Sequence, residues 1–196
     1  MALWGTSDAD ESKPKNLTTA EKKEVFANNS GWVREAGSIW SGNDNTNADP
    51  EVLVAVSGLA DSIGAADVTG VEWITTLADR SAGYTMSVRV RWNEAVTVTG
   101  NPTLAVTNGN QGSGSGRGPH TLVYASGSGT TKLVFSLAIG AANAATNAGD
   151  ILSIGAQSIA KPGGATIKDT ADGSTDSAVA ISGALGTAAG TLTVSA

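Results

Sequence analysis

Tyr84-Thr-Met-Ser-Val-Arg-Val-Arg-Trp-Asn-Glu-Ala-Val-Thr-Val98 is the most informative stretch of this 196-residue chain. Tyr84, Met86, Val88, Val90 and Trp92 fall on one side of it, and Thr85, Ser87, Arg89 and Arg91 on the other. A period of two sustained in this way marks a half-buried strand, because successive side chains of an extended chain point to opposite faces. Glu94-Ala95 interrupts the alternation, which resumes over 96–99. To either side lie further short apolar runs, at 68–74, 103–107, 121–125, 132–138, 151–154, 165–168, 178–181 and 191–194, each bounded by Gly, Ser, Asn or Asp. Many short strands with regular turn punctuation predict an all-β antiparallel sandwich. No βαβ alternation is present. Residues 141–148 read as a loop or at most one helical turn.

Composition narrows the chemistry. The chain has 25 Gly, one His and no Cys. Disulfides, Cys-ligated metals and multi-His metal centres within one chain are therefore excluded. A net charge of −6 argues against a general nucleic-acid or anionic-membrane binder, since phosphate recognition needs a positive surface. No apolar run approaches the ~20 residues of a membrane-spanning helix. The opening Met1-Ala-Leu-Trp-Gly-Thr-Ser-Asp has neither the basic start nor the apolar stretch of an export signal.

Residues 1–66 differ chemically from 67–196. About a third of all charges lie before residue 36, and Trp4, Trp32 and Trp40 lie in the first forty residues. Ser12-Lys-Pro-Lys15 favours an extended path. Thr18 and Glu21 have capping-box spacing, which predicts a short helix over 20–27, with Gly31 closing the turn after it. Residues 38–49 read as a loop and 51–59 as a Val-rich strand. A helix of about two and a half turns is marginal alone in water. The segment is therefore expected to be an anchoring arm that orders on a partner surface through Leu3, Trp4, Lys13, Pro14, Val25, Phe26, Trp32 and Trp40.

Two resemblances follow from these residues. Val96-Thr-Val-Thr-Gly-Asn-Pro-Thr-Leu-Ala-Val106, Val123-Tyr-Ala-Ser-Gly-Ser-Gly-Thr130, Lys132-Leu-Val-Phe-Ser136, Gly149-Asp150 and Ala165-Thr-Ile-Lys-Asp169 resemble, in that order, the bacterial Ig-like module of surface proteins. The resemblance covers roughly residues 70–185 and implies an Ig-like sandwich. The insert at 108–119 and the stretched link at 139–149 depart from it. Met1-Ala-Leu-Trp-Gly5, Ser12-Lys-Pro-Lys-Asn-Leu17 and Gly31-Trp-Val33 resemble the start of small virion structural proteins of marine cyanobacterial tailed phages. That likeness covers about the first 55 residues.

Together these imply a non-enzymatic structural protein of a tailed-phage virion, assembled in the host cytoplasm. The expected role is capsid decoration or cement, in many copies, with the major capsid protein or other virion proteins as partners and no cofactor, nucleic acid or membrane. A neck or tail component is the alternative within that class, and a carbohydrate-binding or adhesive surface module the alternative outside it. Candidate chemistry is sparse. His120, the single imidazole, reads as an exposed loop residue, and Gly112-Ser-Gly-Ser-Gly116 matches a nucleophile elbow by letters only. Asp169, Asp172 and Asp176 offer oxygen ligands for Ca²⁺, but without EF-hand spacing, and Asp also caps turns. Arg89 and Arg91 read as a solvent face with Glu72 or Glu94 as partners. Trp73 and Trp92 read as core. The 108–119 loop, with Arg117, is a candidate contact loop.

Overall fold

The computed structural model describes residues 13–14, 16–109, 118–142 and 145–196. Leu3 and Trp4 lie outside the described residues, as does most of the Gly/Ser-rich 108–119 loop.

The chain is all-β, as its periodicity predicts. Its centre is β6 (Tyr84–Thr99), sixteen residues long. One edge of β6 pairs antiparallel with β9 (Thr130–Ile139). Its other edge is shared. β4 (Val68–Trp73) takes the first half, pairing Val68 with Trp92 and Trp73 with Val88. β12 (Thr166–Asp169) takes the second half, pairing Thr166 with Thr99 and Asp169 with Val96. Between the halves the β6–β9 register shifts, between Arg91 and Val96. The Glu94-Ala95 interruption is this irregularity: the strand continues, but Trp92, Asn93 and Glu94 are all buried in succession, as a bulge that bends the strand allows.

From β9 the sheet continues through β8 (His120–Ser126), β7 (Thr103–Gly109), β10 (Ile151–Ser153) and β14 (Thr191–Ser195) to the two-residue β5 (Ala78–Asp79). The β14–β5 pairing is parallel, and the others along this path are antiparallel. The sheet curls, so its inward residues meet one another. Met86, Val88, Val90 and Trp92 from β6 pack with Leu104, Leu122, Leu133, Phe135, Leu152 and Ile167. Tyr124 meets Phe135 edge-on, with ring centroids 6.3 Å apart. Trp92 Nε1 donates to the Ala178 carbonyl at 2.9 Å, so the largest core side chain leaves no polar atom unpaired. Two further strands, β11 (Gln157–Ser158) and β13 (Ala180–Ile181), pair with each other. A six-residue helix, α1 (Gly183–Ala188), is N-capped by Ser182.

Residues 16–66 hold the main corrections. The capping box forms: the Thr18 amide donates to Glu21 Oε2 at 2.8 Å, and the Glu21 amide to Thr18 Oγ1 at 3.2 Å. Yet it starts only one 3-10 turn, Glu21–Glu24. Val25 then begins β1 (Val25–Asn28), where a helix was expected. Val25 and Ala27 point into a core, and pairing with β2 (Gly31–Arg34) overrides local helix propensity. Gly31 does not end a helix. It takes φ 129° and lies so close to β3 (Glu51–Ala55) that a Cβ would sit 2.0 Å from the Val54 carbonyl oxygen. The three strands form an antiparallel sheet in the order β1-β2-β3. Its own small core consists of Val25, Ala27, Trp32, Leu59 and Ile63. From residue 16 on, the expected extended arm is thus a folded β-unit.

Candidate interaction surface

Ion pairs and hydrogen bonds link the N-terminal unit to the sandwich. Arg91 on β6 is the pivot. Its guanidinium pairs with Glu72 at 2.9 Å and with Glu35, which follows β2, at 3.3 Å. It also donates to the Lys23 carbonyl at 3.4 Å. Arg89 pairs with the same Glu72 at 2.9 Å, and Lys132 on β9 pairs with Glu35. Burial raises the Glu72 carboxyl, but the Arg91 charge and the hydrogen bonds from Arg89 and Arg91 outweigh it, so its pKa lies below 4.5. The outer face of β6, read from sequence as a solvent face, is therefore partly a seam inside the molecule.

This seam redistributes the expected arm residues. Val25 and Trp32 are 1% and 0% exposed in the unit's own core, so they are not partner contacts. Phe26 is half-buried and lines the groove between the unit and Ala95. The Pro14 carbonyl accepts from the Leu17 amide at 3.4 Å. Lys13 donates to the Lys22 carbonyl. Burial, then the charges of Arg91 and Lys22, bring its amine down from 10.5 to about 7.

Trp40 remains on the surface, 44% exposed, beside Ile39 at 81%. Their loop is pinned from below. The Trp40 amide donates to Ser38 Oγ at 3.2 Å, and Ser38 is itself buried and bonded to Glu24. Arg34 Nη1 donates to the Trp40 carbonyl at 2.8 Å and reaches Glu51 at 3.4 Å. Arg34 thus ties the Ile39-Trp40 tip to the first residue of β3. Val52, the next residue, is 50% exposed. β3 is the last strand of its sheet, paired on one side to β2 and on the other to no described strand. Ile39 and Trp40, in the loop entering β3, and Val52, on β3 itself, are thus exposed apolar side chains of a unit whose last strand has an open edge. Ile39 forgoes most of the roughly 1.5–3 kcal/mol that full burial of such a side chain gives, and Trp40 and Val52 about half of theirs. An open edge of this kind is a template for another chain's strand.

The carboxylate cluster is a set of turn caps. Asp169 is buried and accepts from the Ala171 amide at 2.7 Å. Burial lifts its pKa. Asp172 accepts from the Ser174 and Thr175 amides, both at 2.8 Å, and from the Thr175 hydroxyl. That hydroxyl first, and then the amides, hold Asp172 near pKa 2. Asp176 pairs loosely with Lys161 at 3.7 Å. The three do not converge, and among the described residues no cluster of three metal-ligating side chains forms.

His120 is not an exposed loop residue. It starts β8 with its side chain inward, 6% exposed, and Nε2 lies 3.2 Å from Asn108 Nδ2. Asn108 also donates to Asp150 at 2.9 Å. Burial lowers the imidazole pKa, and Asp150 opposes that shift. The signal was legible: His120, Leu122 and Tyr124 continue the period-two face of β8 by one position.

What sequence reasoning missed was the free edge. Glu-Val-Leu-Val-Ala reads as a strand, but whether such a strand is central or terminal depends on pairing that periodicity does not encode. Among the described residues no helix is long and apolar enough to cross a membrane. No protein-family model, no curated protein and no solved structure matches the chain.

Proposed function

We propose that this chain is a non-enzymatic structural protein that docks onto a multi-subunit particle. The resemblance of its first 55 residues suggests a tailed-phage virion, and a role as a capsid decoration or cement protein follows. The observation carrying this reading is the open edge of β3 together with the exposed Ile39, Trp40 and Val52, the Trp40 backbone being held by buried Arg34 and Ser38. A preformed strand edge binds a partner's extended segment at low entropic cost. The sandwich then projects outward. Many copies, each bound weakly, hold through effective concentration.

The test is the copy number in purified virions by quantitative mass spectrometry, together with rebinding of the full chain to particles lacking it. Decoration predicts hundreds of copies and loss of rebinding for Ile39→Asp with an unchanged melting temperature. A copy number of a dozen or fewer points to the neck or tail instead. Absence from particles removes the virion reading, and full rebinding by the Ile39→Asp variant removes the edge as the docking surface.

A further inference from the structure

We infer that the cleft between the N-terminal unit and the sandwich is a binding site for a small oxyanion, a carboxylate or phosphate group carried on a short apolar body. The cleft is a cavity of about 660 Å³ where the start of the N-terminal unit meets β4, β6 and α1. Lys13, Lys22 and Lys23 line it, with Asp67 as the one acid among its described lining residues. None of the three lysines is within ion-pairing distance of an acid among the described residues. Val68, Leu185 and Ala188 supply an apolar floor.

Clustered cations without a counter-ion repel one another, the more so where burial removes water. Among the described residues Lys13 makes one hydrogen bond, to the Lys22 backbone carbonyl, and no ion pair, and its ammonium can donate further. Burial, Arg91 and Lys22 all disfavour its charged form. The charged groups around it are Lys22 and Lys23 on the 3-10 turn, Asp67 before β4, and Arg91 on β6, which Glu35 and Glu72 already occupy. An anion in the cavity relieves the repulsion directly. Asp67 disfavours a ligand that is anionic throughout, such as a polyphosphate, and the floor favours an apolar stem.

The inference rests on no part of the proposed particle docking, and its test uses no particle. The full chain, labelled with ¹⁵N, is titrated separately with inorganic phosphate, butyrate and tripolyphosphate. Saturable shifts of the Val68 and Asn93 amides are expected for phosphate or butyrate, and the stronger of the two names the head group. Lys23→Gln should weaken binding about tenfold, the loss of one charge-assisted hydrogen bond. Lys161→Gln, outside the cavity, should leave it unchanged. Lys13→Gln should act like Lys23→Gln. Should that variant misfold, protection of Lys13 from limiting acetic anhydride by the bound anion gives the same reading on the native chain. The inference is overturned by non-saturating shifts, by equal affinity in the Lys23→Gln and Lys161→Gln variants, or by tripolyphosphate binding best.

Discussion

The two regions of this molecule solve the same problem with unequal means. The sandwich encloses twenty-one buried apolar residues in one continuous cluster. The N-terminal unit gathers five into its cluster, Trp32 being the only large aromatic among them, with Val33 buried beside β1 and β3. The small unit has the smaller core and adds to it a seam with β6 and β9, in which Glu35 pairs with Arg91 and Lys132. It is also the region that carries the open strand edge.

The sharpest way to break this comparison is to remove one tryptophan from each core. Trp92→Ala should cost about 3–5 kcal/mol and, because Trp92 also caps the Ala178 carbonyl, unfold the sandwich and the unit together in urea. Trp32→Ala removes as large a side chain, yet it should release only β1–β3. Hydrogen exchange would then rise across 25–55 while β6 and β9 stay protected. Loss of protection in β6 as well would show that the chain is one cooperative body. Gly31→Ala should mimic Trp32→Ala at about 3 kcal/mol, since its backbone strain and its clash with Val54 fall on the β2–β3 pairing alone.

How far the sequence predicted each region follows from the same contrast. In the sandwich, one face of each strand is buried continuously, so period-two alternation in 84–92 and 132–138 stands out and the fold class is readable. In the unit, Val25-Phe-Ala-Asn28 is too short to establish a period, and Thr18 with Glu21 gives a true but local helix signal. Tertiary pairing decided the outcome, and no local pattern carries that information. For the same reason Trp32 was assigned to a partner surface when its partners are Leu59 and Ile63, nearly thirty residues on. The sequence reading expects Trp40 to contact a partner, and on this chain it is exposed; Ile39 and Val52, exposed as well, carry no sequence signal, because exposure is set by which strand ends the sheet.

The seam offers a smaller effect. Arg91→Gln should cost about 2 kcal/mol, less than the 3–5 typical of a fully buried pair, because Glu35 and Glu72 keep about a third of their exposure. It should raise exchange in β1–β3 before any change in the sandwich. Salt should act on the wild type in the same direction and spare the variant. Acid gives an independent reading. Glu72 has a folded pKa below its unfolded 4.5, so the folded state binds fewer protons there. Its contribution is present above that value and fades as pH falls through the folded pKa. The wild type should therefore lose stability on acidification below pH 4.5 more steeply than Arg91→Gln. Parallel acid limbs would mean that the Arg91–Glu72 pair contributes nothing.

The smallest effect on stability is also the one that bears most on function. Val52→Lys changes a half-exposed side chain on a strand whose outer edge has no described partner, so unfolding free energy should move by no more than about 0.5 kcal/mol. A lysine on an edge strand also blocks strand addition, because a neighbouring strand would have to desolvate its ammonium. Stability and docking should thus separate: an unchanged melting curve with at least tenfold weaker rebinding to particles. Val123→Lys is the matching control, since it adds the same charge to a half-exposed valine of the sandwich, on β8 opposite the uncharged Thr103 and Ser136. If both lysines weaken rebinding equally, net charge and not the edge governs association. If Val52→Lys alone does so, the region with the smaller core is the one that binds, and its open edge is what a partner covers.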